Sequence, residues 1–405
     1  MKVLQVNSVY RSGSTGKITY DIHRELLSRG EGSVVCYGRG ERVREPHVYK
    51  ICGELYSKVN NLRSRLTGMM YGGCLLSTNR LIRIMEKEKP DIVHLQCING
   101  YFVNVYRLID WLKRHRIKTV LTLHAEFMYT ANCSHAMECD RWRTSCGRCP
   151  RYRKETKSWF INATGRSWER MRQAFDGFDA NLTVTSVSPW LAERAKESGI
   201  LKGKSHTVVL NGLDTAVFHE YSADDADKLK QQLGIAPDEK VIFHATPDFN
   251  DRPDHIKGGC YLLRLAERMQ GERVRFVVAG SHPAGLKVPD NVILLGKIRD
   301  QALLARYYSM AALTLLTSRV ETFSMVCAES LCCGTPVVGF RAGAPEQIAI
   351  PEYSEFAEPG DTDGLSDAVH RMLARCVRVP MACAERYSVG SMVGQYLRVY
   401  QMMKD

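Results

Sequence analysis

Short apolar runs recur along the chain, each bounded by polar residues and separated from the next by a longer stretch of helical length. In the first half they read KVLQV, VVCYG, DIVHLQ, TVLTLH and NLTVTSV; in the second, KVIFHA, RFVVAG, NVILLG, ALTLLT and PVVGF. This alternation of strand and helix predicts two parallel sheets covered by helices on both faces, an α/β architecture of two doubly wound domains. The helix PWLAERAKESG ends near residue 200 and HTVVLNGLDTAVF carries the chain onward. The divide is therefore expected between a first domain over residues 1–205 and a second over 206–385, without a low-complexity linker. A final amphipathic helix within 386–405, containing MVGQYLRVYQMM, is expected to pack back on the first domain.

Length agrees with this division, because 405 residues exceed what one hydrophobic core usually supports. No segment reaches the roughly 18 uncharged apolar residues of a membrane span, and MKVLQVNSVYRSG alternates as a strand does and not as an export signal. A cytoplasmic protein is expected. Its 14 cysteines then favour thiols or metal ligands over disulfides. The formal net charge of +12 suits nucleic acid, an anionic membrane or phosphorylated substrates without choosing among them. Lys and Arg concentrate between about residues 58 and 172, which gives the first domain a basic face suited to anionic headgroups.

Ligands of open α/β sheets bind outside the carboxyl ends of the strands, so the loops there carry the candidate chemistry. After the first strand, RSGSTGK places Gly13 and Gly16 ahead of a helix expected near Lys17, where backbone can approach a phosphate; it is neither a Walker A loop nor a complete dinucleotide fingerprint. His124 follows TVLTL and is either a satisfied structural histidine or a partner for a sugar hydroxyl or phosphate. In KVIFHATPDFNDRPDHIKGG, Arg252 and Lys257 offer a bidentate fork and a mobile point charge to a diphosphate. RAGAPEQI sets Gly343, Ala344 and Pro345 before Glu346 after another strand.

The densest signal is ALTLLTSRVETFSMVCAESLCCGTPVVGF, which reads strand, loop, helix, strand. The backbone at Phe323, Ser324 and Met325 opens the helix, where unpaired N–H groups and the positive dipole end receive anions. Glu321 and Glu329 can accept hydroxyl hydrogen bonds alongside. A nucleotide sugar offers this combination of anionic diphosphate and hydroxyl-rich rings.

The Glu321 to Glu329 element, the Gly13 to Gly16 loop, NGLD at Asn211 to Asp214 followed by Phe218, Arg252 with Lys257, and GAPE at Gly343 to Glu346 together resemble family 4 of the glycosyltransferases. The resemblance covers nearly the whole chain. It implies the GT-B architecture, two Rossmann-like domains facing across a cleft, and a metal-independent transfer that retains configuration at the anomeric carbon. It further implies that Glu321 contacts the transferred sugar, Glu329 the nucleotide ribose, Arg252 and Lys257 the diphosphate, that Gly13 and Gly16 meet the diphosphate from the opposite domain, and that His124 lies beside the reacting sugar. The chain departs from the family at two usual glycines, which are Thr322 and Ser324 here. A nucleotide-sugar epimerase shares this fold and donor site. A zinc-bearing nucleic-acid-binding protein would explain cysteines and charge but not the twin sheets or the paired glutamates, so nucleic acid is not expected as a partner.

Residues 124–157 form a cysteine-rich insertion. Cys133, Cys139, Cys146 and Cys149 have five, six and two residues between them, a spacing that can close a tetrahedral zinc site or belong to a reduced loop without metal. His135 is a substitute ligand. With Trp142, the insertion resembles one found in capsular and exopolysaccharide glycosyltransferases of the colanic-acid type. That likeness implies a polyprenyl-diphosphate-linked glycan acceptor, docked by Arg141, Arg143, Arg148, Arg151 and Arg153, and an enzyme peripheral on the inner face of the cell membrane.

Overall fold

Both expected sheets are present in the computed structural model, which describes residues 1–404, and both carry more strands than the apolar runs announce. The first comprises β1 (Lys2–Asn7), β2 (Gly32–Tyr37), β3 (Val48–Lys50), β4 (Ile92–Leu95), β5 (Thr119–Leu123), β6 (Leu182–Ser186) and β7 (Ser205–Val208), in the order β3-β2-β1-β4-β5-β6-β7. The second comprises β8 (Lys240–Asp248), β9 (Val274–Ser281), β10 (Val292–Gly296), β11 (Leu313–Leu316), β12 (Val337–Phe340) and β13 (Ser354–Ala357), in the order β10-β9-β8-β11-β12-β13. Neighbouring strands pair in parallel, with Val3 opposite both Ser33 and Ile92, and Leu313 opposite Ile242. Strand order reverses between β1 and β4 and again between β8 and β11, and these are the topological switch points at which doubly wound sheets open a ligand crevice.

The chain divides into two compact units, residues 1–210 with 392 onward, and residues 211–391. The first unit runs about five residues past the expected divide because β7 completes the edge of its sheet. Its last element is the helix Val389–Lys404, whose Tyr396 and Tyr400 are buried. The Tyr400 hydroxyl lies 2.7 Å from His94 Nδ1, and the Tyr396 hydroxyl 3.1 Å from Thr122 Oγ1. In the second unit, Ile242, Phe276, Leu313, Leu315 and Val338 pack the sheet against Leu262 and Leu365 of the flanking helices Gly259–Arg268 and Thr362–Arg375. All 14 cysteines are free thiols. No helix among the described residues is long and apolar enough to cross a membrane.

Candidate active site

In the second unit the site grows from the β8/β11 switch point. Gly258 sits at φ 65°, and a Cβ there would lie 2.0 Å from the Thr317 carbonyl oxygen; one on Gly259 would lie 2.4 Å from that of Asn250. Gly258 thus lets the loop after β8 press against the loop after β11, and Gly259 lets that first loop fold back on itself. Arg319 N–H donates to Ile256 O (2.9 Å) and Thr317 Oγ1 to Lys257 O (3.0 Å), so the Lys257 ammonium reaches Glu321 Oε1 at 2.6 Å. A third loop joins them. Glu321 N–H donates to Ala342 O (2.8 Å) and Ala344 N–H to Glu321 O (3.2 Å), which seats Gly343 to Glu346 beside the pair. Burial pushes the Glu346 carboxyl upward, opposed by nearby backbone N–H groups. The Lys257–Glu321 pair is partly solvated, so its own contribution to stability is small; what it fixes is position.

Ser324 opens the helix Met325–Cys332 at φ 73°, and its Oγ accepts from Cys327 N–H (3.3 Å). That cap occupies one donor of the first turn. The N–H groups of Met325 and Val326 have no acceptor within the helix, as at any helix start. Phe323 is buried and contributes backbone alone. Glu329, on the same helix, accepts from the Tyr308 hydroxyl (2.9 Å), whose pKa burial drives well up. Glu329 and Met325 border a cavity of about 230 Å³ at the ends of β8 and β9, shared with Thr246, Gly280, Lys297 and Tyr308. Lys297 and Tyr308 escaped the sequence reading. Lys297 carried a legible signal, a cation directly after NVILLG, whereas Tyr308 carried none. Arg252 is 66 % exposed and forks onto Asp254 at 3.2 Å.

In the first unit, Gly13 and Gly16 form the first turn of the helix Gly13–Ser28 and not a loop before it. Small residues are poor interior helix formers yet cost little in a first turn, where N–H groups face outward anyway, so the expected start near Lys17 is corrected by one turn. Ser12 makes no side-chain cap to these donors. His124 directly follows β5, where its Nε2 lies 2.8 Å from Gln96 Oε1. Gln96 donates to Gln5 Oε1 (3.3 Å) and Gln5 to Thr19 O (3.2 Å), a buried amide chain that assigns Nε2–H as donor. Burial pushes the His124 pKa down to about 4, which leaves a neutral imidazole suited to a hydroxyl partner and not to charge pairing. Two residues on, fully buried Glu126 accepts from Arg194 Nε (2.7 Å), the Tyr129 hydroxyl (2.6 Å) and Ala136 N–H (2.5 Å). It anchors the start of the cysteine insertion, a role its place beside His124 did not disclose.

Cys133, Cys139, Cys146 and Cys149 all line one cavity of about 20 Å³ against buried Trp142, room for a single water-sized sphere. Burial, and then the neighbouring sulfurs, push the Cys146 thiol up to about 12; burial, then Glu155 and the sulfurs, raise that of Cys133. Among the described residues, however, no group of three or more His, Cys, Asp or Glu side chains is arranged to hold a metal ion. Several of the insertion's arginines are already engaged within the first unit. Arg141 donates to Gly147 O (2.9 Å), Arg151 pairs with Glu155, and Arg143 with Glu197 at 3.0 Å.

Residues 15–217 match the family model for Glycosyltransferase Family 4, half of the chain, and residues 249–375 match that for Glycosyl transferases group 1. A putative colanic acid biosynthesis glycosyl transferase, WcaC of Escherichia coli, is 23% identical over 86% of this chain and 85% of its own length. The N-acetyl-alpha-D-glucosaminyl L-malate synthase of Bacillus anthracis is 27% identical over 55% of this chain, a match that spans 60% of that enzyme. Among solved structures, Anabaena HepE in complex with UDP superposes with a TM-score of 0.65 at 17% identity, covering 99% of this chain and 100% of that one. WaaG, a glycosyltransferase involved in lipopolysaccharide biosynthesis, gives 0.61 at 13% identity, covering 99% of each. Both show the same two-unit parallel α/β fold.

Proposed function

The chain belongs to glycosyltransferase family 4, and from that premise we propose that it moves a sugar from a nucleotide-sugar donor, with retention, onto a growing glycan carried on polyprenyl diphosphate at the inner face of a cell membrane. The observation that carries this reading is the Lys257–Glu321 pair held at a switch point beside the start of the Met325–Cys332 helix. The donor diphosphate takes Lys257 and the N–H groups of Met325 and Val326, while Glu321 turns to hydroxyls of the transferred sugar. The cavity with Glu329, Tyr308 and Lys297 takes the ribose and base. The bond from the anomeric carbon to the diphosphate oxygen breaks, the acceptor oxygen bonds that carbon on the same face, and its proton passes to the departing oxygen. Lys257 and the helix start stabilise the charge that develops there. Arg252 joins them by exchanging Asp254 for phosphate. Within the first unit, the uncapped helix start at Gly13 and Gly16 offers N–H groups to an anion, and neutral His124 suits a hydroxyl. The likeness to WcaC supports an exopolysaccharide or capsule as the product.

Melting temperature measured against a panel of nucleotide sugars tests the donor, since a ligand of the folded state raises it by mass action. One donor should give a selective shift, and Lys257→Ala should weaken its binding about tenfold or more, the worth of a charged hydrogen bond. Folded protein that no donor stabilises would remove the reading. Transfer to a short-chain diphosphate-linked glycan, with the product's anomeric configuration read by NMR, tests acceptor and retention.

We also propose that the four insertion cysteines, once deprotonated, close around one structural zinc ion. Their shared cavity supports this. Metal analysis of protein purified without chelator should find about one zinc per chain, lost in a Cys146→Ser, Cys149→Ser double variant. Metal-free protein with unchanged melting temperature in added zinc would discard the site.

A further inference from the structure

Twelve large apolar side chains are exposed among the described residues, and nine of them fall on three neighbouring segments of the first unit. Leu55, Val59, Leu62 and Leu66 repeat at helical spacing along the helix Glu54–Thr67, with Leu55 77 % exposed. Beside one end of that helix, Leu75 and Leu76 open the helix Leu75–Glu88, and Leu76 N–H donates to the Tyr56 hydroxyl at 3.1 Å. At the other end, Trp159, Phe160 and Ile161 form an exposed tip, Phe160 at 72 %. Trp159 N–H donates to Arg65 O (2.8 Å), and the Arg65 guanidinium lies over the indole. Gly68 permits this junction: it ends the helix at φ 70°, and a Cβ there would lie 2.5 Å from Ile161 O. Leucine stripe, leucine pair and aromatic tip are thus tied together, the pair through the Tyr56 hydroxyl and the tip through a backbone hydrogen bond to Arg65.

The charges around this patch have one sign. The Glu54–Thr67 helix carries Lys58, Arg63 and Arg65 against a single acid, Glu54, which is engaged by Lys50 and Gly40 N–H. The segment before the tip adds exposed Arg153, Lys154 and Lys157, while its one acid, Glu155, is paired with Arg151. An apolar stripe bordered by cations, with a tryptophan at its rim, matches an interface of acyl chains below anionic phosphates. A protein partner would bring directional polar groups for the rim, whereas a lipid surface needs only negative charge.

We propose that this patch docks the enzyme on an anionic lipid bilayer, the helix Glu54–Thr67 lying in the interface with its leucines submerged and the Trp159–Ile161 tip inserted beside it. The inference rests on the reading of a lipid-linked acceptor for its purpose, but its test does not. The full chain is sedimented with vesicles of phosphatidylcholine alone and of equal parts phosphatidylcholine and phosphatidylglycerol. Binding is expected to the anionic vesicles, to weaken with salt, and to fall about tenfold or more in Leu62→Glu and in Phe160→Glu, each of which removes buried apolar area and adds a repelled charge. Both positions are exposed, so the variants should fold, and an unchanged melting temperature verifies it. Variants that bind as the parent does would place the lipid surface elsewhere on the molecule; parent protein that ignores anionic vesicles would overturn docking altogether. So would a dimer, seen by sedimentation velocity, that Leu62→Glu dissolves while vesicle binding stays absent. Transfer to a short-chain, water-soluble acceptor without vesicles is read in parallel. Its persistence in Leu62→Glu separates failure of the surface from failure of the transferase reading.

Discussion

Ser324 holds the left-handed conformation at φ 73° where the resembled family has glycine, and it offsets part of the strain by capping the helix through Cys327 N–H. The two effects can be separated. Ser324→Ala keeps the strain and loses the cap, and should lower stability by about 1 kcal/mol in denaturant titration. Ser324→Gly loses the cap but relaxes the backbone, and should stay within about 0.5 kcal/mol of the parent. Equal losses in both would show that the left-handed turn carries no strain. The sequence disclosed this departure but not its cause, because a dihedral angle is set by the loops that flank it. Glu126 makes the same point. Nothing in the sequence around Glu126 discloses its ion-pair partner, Arg194, which is 68 positions away and is brought to it only by the folded chain.

At the scale of elements, Gly258 decides whether the loop after β8 can meet the loop after β11. Gly258→Ala would set a methyl against the Thr317 carbonyl in a left-handed conformation. It should cost about 2 kcal/mol or more and displace Lys257, so donor affinity should fall even in protein that remains folded at low temperature. Full donor affinity in the folded variant would free Lys257 from this loop's control. The ten strands announced by apolar runs are all present; the three unannounced ones, β3, β7 and β13, are all edge strands. An edge strand pairs on one side, need not be apolar throughout, and can be only three or four residues long, as Val48–Lys50 and Ser354–Ala357 are. SEFA in β13 lies within an acidic stretch and becomes a strand because β12 offers it a ladder. The early start of the Gly13–Ser28 helix was hidden similarly, since Gly, Ser and Thr in a first turn look like a loop.

For the whole molecule, buried histidines in both units tie stability to pH. His94 is held near a pKa of about 3, and His124 and His244 near about 4, all chiefly by burial, against an ordinary value of 6.5. Above about pH 6.5 they are neutral in folded and unfolded chains alike and their contribution is fully present. Below it the unfolded chain takes up protons that the folded one refuses, so stability falls with pH until the folded values are reached, by about 1.4 kcal/mol per pH unit for His94 alone. Melting temperature should therefore drop steadily from pH 7 to 5, and less steeply in His94→Gln; a flat profile would show that these side chains protonate in place.

The sequence by itself determined the two doubly wound sheets, the eight-residue spacing of Glu321 and Glu329 across a strand-to-helix turn, and the strand ends after which Gly13, His124 and Lys257 fall. Strand periodicity and the residues just past strand ends are local properties, and an open α/β sheet places such residues at its ligand edge whatever else the chain does. Tertiary structure alone decided that Lys257 meets Glu321 while Arg252 turns to Asp254, and that Tyr308 and Lys297 share a wall with Glu329. It also decided that a leucine stripe, a leucine pair and an aromatic tip from three segments form one uncovered surface. Each depends on which distant backbones approach closely, and that is fixed by strand order, by glycines at close contacts and by packing, none of which has a signature within any single stretch of sequence.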